Sequence, residues 1–318
     1  MSLNKNYLPL FANFVAAFIF GFSYLFIKTG MRYVEYDAVK FLAFRFSIGF
    51  LVLSLLLISG IKKVNYRGKP VYLLFLMGVL NPLISQVLET TATNYAPTSQ
   101  LGVFFSLIPI LVVLLSIPIN HELPSRRQVL FMIISVSGIL LINLVDGQME
   151  NSTPMGIILI LSAITVISVH RVFVRRASGQ FTAFETIYVT TGMGALGFVI
   201  STVISHINRG QLGSFFSGLG TPYFIIPILY MGIASSVIAF LCMTYASGHL
   251  PIAVSSSTGV MQAVINVLVG ILILKEVFRP IDAIGAGITF LGITGMCLSY
   301  NASASNRFGA KQNQPKNI

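Results

Sequence analysis

The stretch NHELPSRRQVLFMIISVSG, residues 120–138, is answered 154 positions later by LKEVFRPIDAIGAGITFLG, residues 274–292. Worked outward, the same offset carries Pro97 onto Pro251, Glu122 onto Glu276 and Gly138 onto Gly292 without a gap. In both copies the Glu sits in a short polar break between two apolar runs. The matches include the helix breakers and the lone acid, which separates a duplication from chance agreement between greasy sequences. A duplicated unit with an odd number of membrane spans must place its copies in opposite orientations. Inverted repeats of this kind frame alternating access to two faces.

Composition fixes the broad class. The chain is 55% hydrophobic and only 9% charged, with a mean hydropathy of +0.85. A soluble domain carries about 25% charged residues, so a membrane protein is expected. The net charge of +11 is spread over short breaks between apolar runs. That pattern suits orientation in a bilayer, not a nucleic-acid partner. Cys242 and Cys297 both lie inside apolar runs and read as small buried hydrophobes. Lys5 is followed by an apolar stretch longer than a signal-peptide core, so it reads as a retained first span.

Ten apolar runs are long enough to cross the roughly 30 Å of hydrocarbon as helices. They lie near 8–30, 38–60, 71–95, 98–120 and 128–145, then near 154–176, 183–205, 222–246, 251–274 and 281–301. The expected fold is an all-α integral membrane protein of ten transmembrane helices, arranged as two inverted five-helix repeats. The first repeat covers residues 1–147, the second 148–301, and 302–318 reads as a disordered cytoplasmic tail. Basic residues set the orientation. Lys62, Lys63, Arg67, Lys69, Arg126, Arg127, Arg175 and Arg176 fall with both termini on one side, and only Arg32, Lys40, Arg209, Lys275 and Arg279 fall on the other. Both termini are therefore expected in the cytoplasm of a multi-pass protein of the plasma or inner membrane. Glu122 then lies inside and Glu276 outside.

The paired half-ends resemble those of the drug/metabolite transporter superfamily, specifically its ten-span EamA-like family. Pro109 through Glu122-Leu123 to Ser137-Gly138-Ile139-Leu140 carries the resemblance in the first half, and Leu274-Lys275-Glu276 to Leu291-Gly292-Ile293 in the second. Ala43-Phe44-Arg45 also resembles the family's Arg in the second helix. Where family members often carry Trp-Gly in the first span, this chain has Phe20-Gly21. The resemblance implies a ten-helix bundle with a central cavity lined by the inner helices of each half. It also implies transport or efflux of amino acids, related metabolites or drugs, without a cofactor.

Polar groups at bilayer depth need a partner, a cavity or a snorkelling route. Asn81, Ser85, Glu89 and Thr93 follow one another at a spacing of four, a helix-face stripe roughly 18 Å long. Thr258, Gln262 and Asn266 mirror it in the ninth span, yet at the 154 offset they correspond to Phe104, Ile108 and Val112. Interhelical hydrogen bonding and a water-filled pathway both account for such stripes. Glu89 and Arg45 lie at similar depth in the outer half, as an ion pair or as contacts for a zwitterion's amine and carboxylate. Arg171 lies one turn from Arg175 and reads as snorkelling to headgroups. His170, about 100° round the helix, reads as lining the inner half of the cavity. Tyr24 and Tyr245 need partners for their hydroxyls. The candidate substrate contacts are thus Tyr24, Arg45, Asn81, Ser85, Glu89, His170, Tyr245, Thr258, Gln262 and Asn266, with Glu89 and His170 as candidate proton carriers.

No catalytic pattern competes with this. The four His residues lie in separate segments, without His-x-x-x-His or Cys-x-x-Cys spacing for a metal. Gly192-Met193-Gly194 and Gly285-Ala286-Gly287 fall inside apolar helices, where small residues let helices approach. The expected activity is secondary transport or export of small organic metabolites, above all amino acids, by a protein that is a monomer or weak homo-oligomer and whose partners are substrate and lipid. A channel-like facilitator and a non-transporting receptor or sensor are the alternatives. On this topology, a single cysteine at Lys63 labels only from the cytoplasm and one at Arg279 only from outside. Same-side labelling of both positions contradicts it.

Overall fold

The computed structural model describes residues 7–120, 125–144, 153–208, 210, 219–250, 255, 258–276 and 279–295. Among them every regular element is helical. In chain order these are α1 (Tyr7–Met31), α2 (Ala38–Ile58), α3 (Tyr72–Ala92), α4 (Thr98–Phe105), α5 (Ile108–Asn120) and α6 (Arg126–Leu144). They are followed by α7 (Pro154–Ala177), α8 (Ala183–Asn208), α9 (Pro222–His249), α10 (Thr258–Leu272) and α11 (Pro280–Gly295). Six helices, α1, α2, α3, α7, α8 and α9, are long and apolar enough to cross a bilayer. Shorter apolar helices run over Gln100–Leu115, Val129–Gly138, Met261–Leu272 and Pro280–Gly295. Among the described residues each half of the chain thus supplies three long and two shorter apolar segments, the first of the shorter ones made of α4 and α5 together. Glu122, Asp146, Glu150 and the tail 302–318 lie outside the described residues.

Local chemistry explains where these helices begin. Asp37 accepts a hydrogen bond from Lys40 N at 3.0 Å and so caps α2. Thr153 accepts from Gly156 N at 3.3 Å, with Pro154 in the first turn of α7, where its missing N–H costs nothing. Thr182 and Glu185 exchange hydrogen bonds at the start of α8, a reciprocal capping box. The same Glu185 pairs with Lys69 at 2.8 Å and accepts from Asn65 N at 2.7 Å, tying the 59–71 connection to α8. At the other end of the bundle Glu276 pairs with Lys28 at 2.8 Å and caps Thr98 N at 2.9 Å. Glu276 thus satisfies a helix end and answers the charge of Lys28.

The third span departs from its expected regularity. Asn81 leaves helical geometry (φ −143, ψ 113) ahead of Pro82, and the turn around it is a π-helix over Val79–Ile84. Proline has no N–H to donate and its ring crowds the preceding turn, so the helix breaks there. Asn81, Ser85, Glu89 and Thr93 are all buried as expected. They do not form one continuous α-helical stripe, because the break rotates Asn81 against the rest. A π segment also interrupts α9, over Tyr230–Ala239.

Glycines set the closest helix approach. A Cβ added to Gly138 would meet the Gly285 carbonyl oxygen and come within 2.7 Å of Thr289 N. One added to Gly292 would lie 2.5 Å from Ser135 N and 2.8 Å from Phe131 O. Thr289 Oγ1 also approaches Ser135 O at 3.3 Å. As α6 advances through residues 131, 135 and 138, its contacts on α11 retreat from 292 towards 285. The two helices therefore pack antiparallel, backbone on backbone.

The obstructing atoms are main chain and cannot rotate away, so Gly138→Ala and Gly292→Ala should each destabilise by about 1–3 kcal/mol. Gly287, with nothing within 4 Å of its hypothetical Cβ, is the control: Gly287→Ala should be neutral or slightly stabilising. Thermal unfolding in detergent checks this, and equal melting of all three variants removes the packing argument.

Candidate functional site

Arg45 is 2% exposed, and all three of its nitrogens make hydrogen bonds. Nε donates to Ser236 Oγ at 2.9 Å, Nη2 to Ser235 Oγ at 3.1 Å and Nη1 to Gln86 Oε1 at 2.6 Å. Gln86 Nε2 then donates to Glu89 Oε2 at 3.0 Å. The expected link between Arg45 and Glu89 is thus a relay through Gln86, which lies between the charges. Short serines reach the guanidinium because α2 and α9 approach closely: a Cβ at Gly49 would lie 3.1 Å from Gly232 O, and one at Gly232 would lie 3.1 Å from Arg45 O. Ser235 continues the network to Ser23 on α1 at 3.3 Å.

Arg45, Gln86, Glu89, Ser235 and Ser23 help line a cavity of about 480 Å³ between the helices. α1 contributes Phe20 and Ser23, α2 Arg45, α3 Asn81, Gln86 and Glu89, and α4 Phe105. α7 contributes Ile167, His170 and Arg171, α9 Met231, Ser235, Phe240 and Met243, and α10 Gln262. Every contributing helix except α4 brings a polar group, and Phe20, Phe105, Ile167, Met231, Phe240 and Met243 supply the apolar part. A second cavity of about 310 Å³ adjoins it, sharing Asn81, His170, Phe240 and Met243 and edged by Thr186, Thr190, Thr191 and Thr244.

Of the residues selected from sequence, the cavity brings together Arg45, Asn81, Glu89, His170 and Gln262. Tyr24 is fully buried behind it, edge-on to Phe105 at 5.7 Å, with its hydroxyl beside the Glu89 carboxylate. Ser85 and Asn266 are also buried off the cavity wall with unpartnered polar atoms. Thr258 holds α10 to α1, its hydroxyl lying between Asn13 Oδ1 and the Ser255 carbonyl oxygen. Tyr245 packs on His249 with ring centroids 4.2 Å apart, near the end of α9 and away from the cavity. Arg171 differs from its expected snorkelling role: it lines the cavity beside His170. Arg175 turns to the Ser247 and Leu250 carbonyl oxygens. Sequence reasoning missed Ser23, Ser235 and Ser236, whose only signal is a small polar residue in an apolar run.

The two halves meet in the wall itself. Asn81, Gln86 and Glu89 on α3 correspond at the 154 offset to Ser235, Phe240 and Met243 on α9, and all six line the cavity. The frame repeats while the chemistry does not.

Gln86→Leu strips both charges of their bridge in a low-dielectric setting and should destabilise by about 2–3 kcal/mol. Ser236→Ala removes one of three contacts and should cost under about 1 kcal/mol, the usual scale for a polar contact between membrane helices. Thermal unfolding in detergent reads both, and parent-like melting of Gln86→Leu rules out the relay as a stabilising element.

The profile of the EamA-like transporter family matches residues 8–144 and again residues 154–298. An uncharacterized transporter of Bacillus subtilis (strain 168), YcxC, is 24% identical over 280 residues, covering 88% of this chain and 89% of its own length. A solved crystal structure of a protein at 18% identity superposes with a TM-score of 0.63, covering 94% of this chain and 98% of its own. At that identity the likeness concerns the fold. A cavity set among apolar helices is what a membrane carrier needs, and with both halves matched by the same profile the chain belongs to the EamA-like transporter family.

Proposed function

We propose that the chain is a secondary transporter of small organic metabolites, above all amino acids and related compounds. It works by alternating access between two inverted five-helix repeats, 1–147 and 148–301, in the plasma or inner membrane with both termini in the cytoplasm. The observation that carries this is the cavity wall built from repeat-equivalent positions of α3 and α9 around an embedded Arg45–Gln86–Glu89 network. Antiparallel packing of the repeat-equivalent helices α6 and α11 supports opposite orientation of the halves. The matched relative is itself named a transporter.

The cavity lining combines charged groups with aromatic and aliphatic ones. Such a site binds an amphiphilic metabolite by satisfying its polar end while removing its apolar end from water. The adjoining threonine-edged cavity extends the path beyond Asn81 and His170. Glu89 and His170, the titratable groups on the wall besides the two arginines, are the candidates for coupling substrate movement to a proton.

In proteoliposomes preloaded with one amino acid, outside label of the same compound should accumulate transiently by counterflow. A proton-coupled cycle further requires a pH change on substrate addition that Glu89→Gln or His170→Gln abolishes. Counterflow without proton movement in the parent rejects the coupling. Binding without counterflow rejects transport.

A further inference from the structure

Arg171 lines the cavity without the hydrogen bonds that hold Arg45: its Nε is inaccessible and makes none, and among the described residues it enters no direct ion pair. Arg45, by contrast, is engaged at all three nitrogens. Glu89 lines the same cavity, where its Oε2 accepts from Gln86 and its carboxylate lies beside the Tyr24 hydroxyl and within electrostatic reach of Arg171. The cavity therefore holds a cationic pole on α7 and an anionic pole on α3 that attract each other without a direct ion pair between them. A guanidinium unpaired inside a membrane bundle is strongly unfavourable. A bound anion removes that penalty, and the planar fork of Arg suits a carboxylate in particular.

We infer that Arg171, not Arg45, takes the substrate's carboxylate, with the Glu89 carboxylate taking its ammonium group, so that the cavity is a site for zwitterionic amino acids bearing apolar side chains. The inference deepens the transporter reading and rests on it. The side-chain preference follows from the rest of the lining, to which Phe20, Phe105, Ile167 and Phe240 contribute. Arg45 plays a different part, holding α2, α3 and α9 together and fixing Glu89 through Gln86. His170 sits beside Arg171 with an unpartnered Nδ1, an additional polar atom at the carboxylate end.

The test uses purified full-length protein and two matched series. One is leucine, isopentylamine (its decarboxylated analogue) and 4-methylpentanoate, which lacks the amine. The other is phenylalanine, phenethylamine and 3-phenylpropionate. Arg171→Gln should weaken leucine, phenylalanine and the two amine-free acids by about ten- to a hundredfold, the scale of a lost charged hydrogen bond. It should leave the two amines unchanged. Glu89→Gln should show the reverse selectivity, weakening the amino acids and amines but not the acids. Arg171→Lys keeps the charge without the fork and should bind the acids between parent and Arg171→Gln. A purely structural role would weaken all six compounds alike.

Parent-like binding of the acids by Arg171→Gln overturns the assignment, as does equal loss across both series. A parent that binds amines but no amino acid also overturns it, while leaving alternating access standing. If the amino acids bind but show no counterflow, the transport reading fails and the binding arms still decide Arg171.

Discussion

Carrying the Arg45 guanidinium into an apolar bundle constrains much of what surrounds it. A charge at that depth is tolerable only if fixed dipoles replace its lost water. The protein supplies them from two other helices, Gln86 on α3 and Ser235 and Ser236 on α9. Serine side chains are short, so α9 must come close to α2, and Gly49 and Gly232 make that approach possible. The π segment over Tyr230–Ala239 holds both serines, a place where wider helical winding often marks a functional site. Glycine crossing, π segment and buried charge are in this sense one device.

That device also orients Glu89, whose Oε2 accepts from Gln86. A direct Arg45–Glu89 ion pair would neutralise both and close off the acid. An amide between them transmits orientation without consuming the charge. No hydrogen bond of this kind reaches Arg171 Nε. The asymmetry between the two arginines follows from what each helix offers as neighbours.

Much of this was legible in the sequence, and for a physical reason. Spans follow from apolar length, and the six long helices begin and end within a few residues of their expected limits. Arg45 and Glu89 stood out because intramembrane charge is rare and costly. The relay between them was not legible. Pairing depends on helix rotation, and the broken turn at Asn81 and the π segment of α9 shift rotation in ways a fixed spacing of four cannot follow. The same error moved Ser85 off the cavity wall. Arg171 departs from the snorkelling expectation because a snorkelling arginine and a cavity arginine have the same local sequence, a basic residue within two turns of a helix end. Only packing against α3 and α9 separates them.

Duplication bears on the choice between glue and binding site. Contacts that hold the frame recur in both copies: Gly138 and Gly292 each press on the opposite helix, and Ser135 meets Thr289, its own counterpart. The cavity positions recur in place but not in kind, with Asn81, Gln86 and Glu89 facing Ser235, Phe240 and Met243. Under the proposed alternating access, symmetry of position would preserve two equivalent ways for the halves to pack. Symmetry of chemistry would give the cavity two like ends, which suits no dipolar solute. Loss of chemical symmetry within a retained positional one is what a site that must bind a polar end and an apolar end is expected to show.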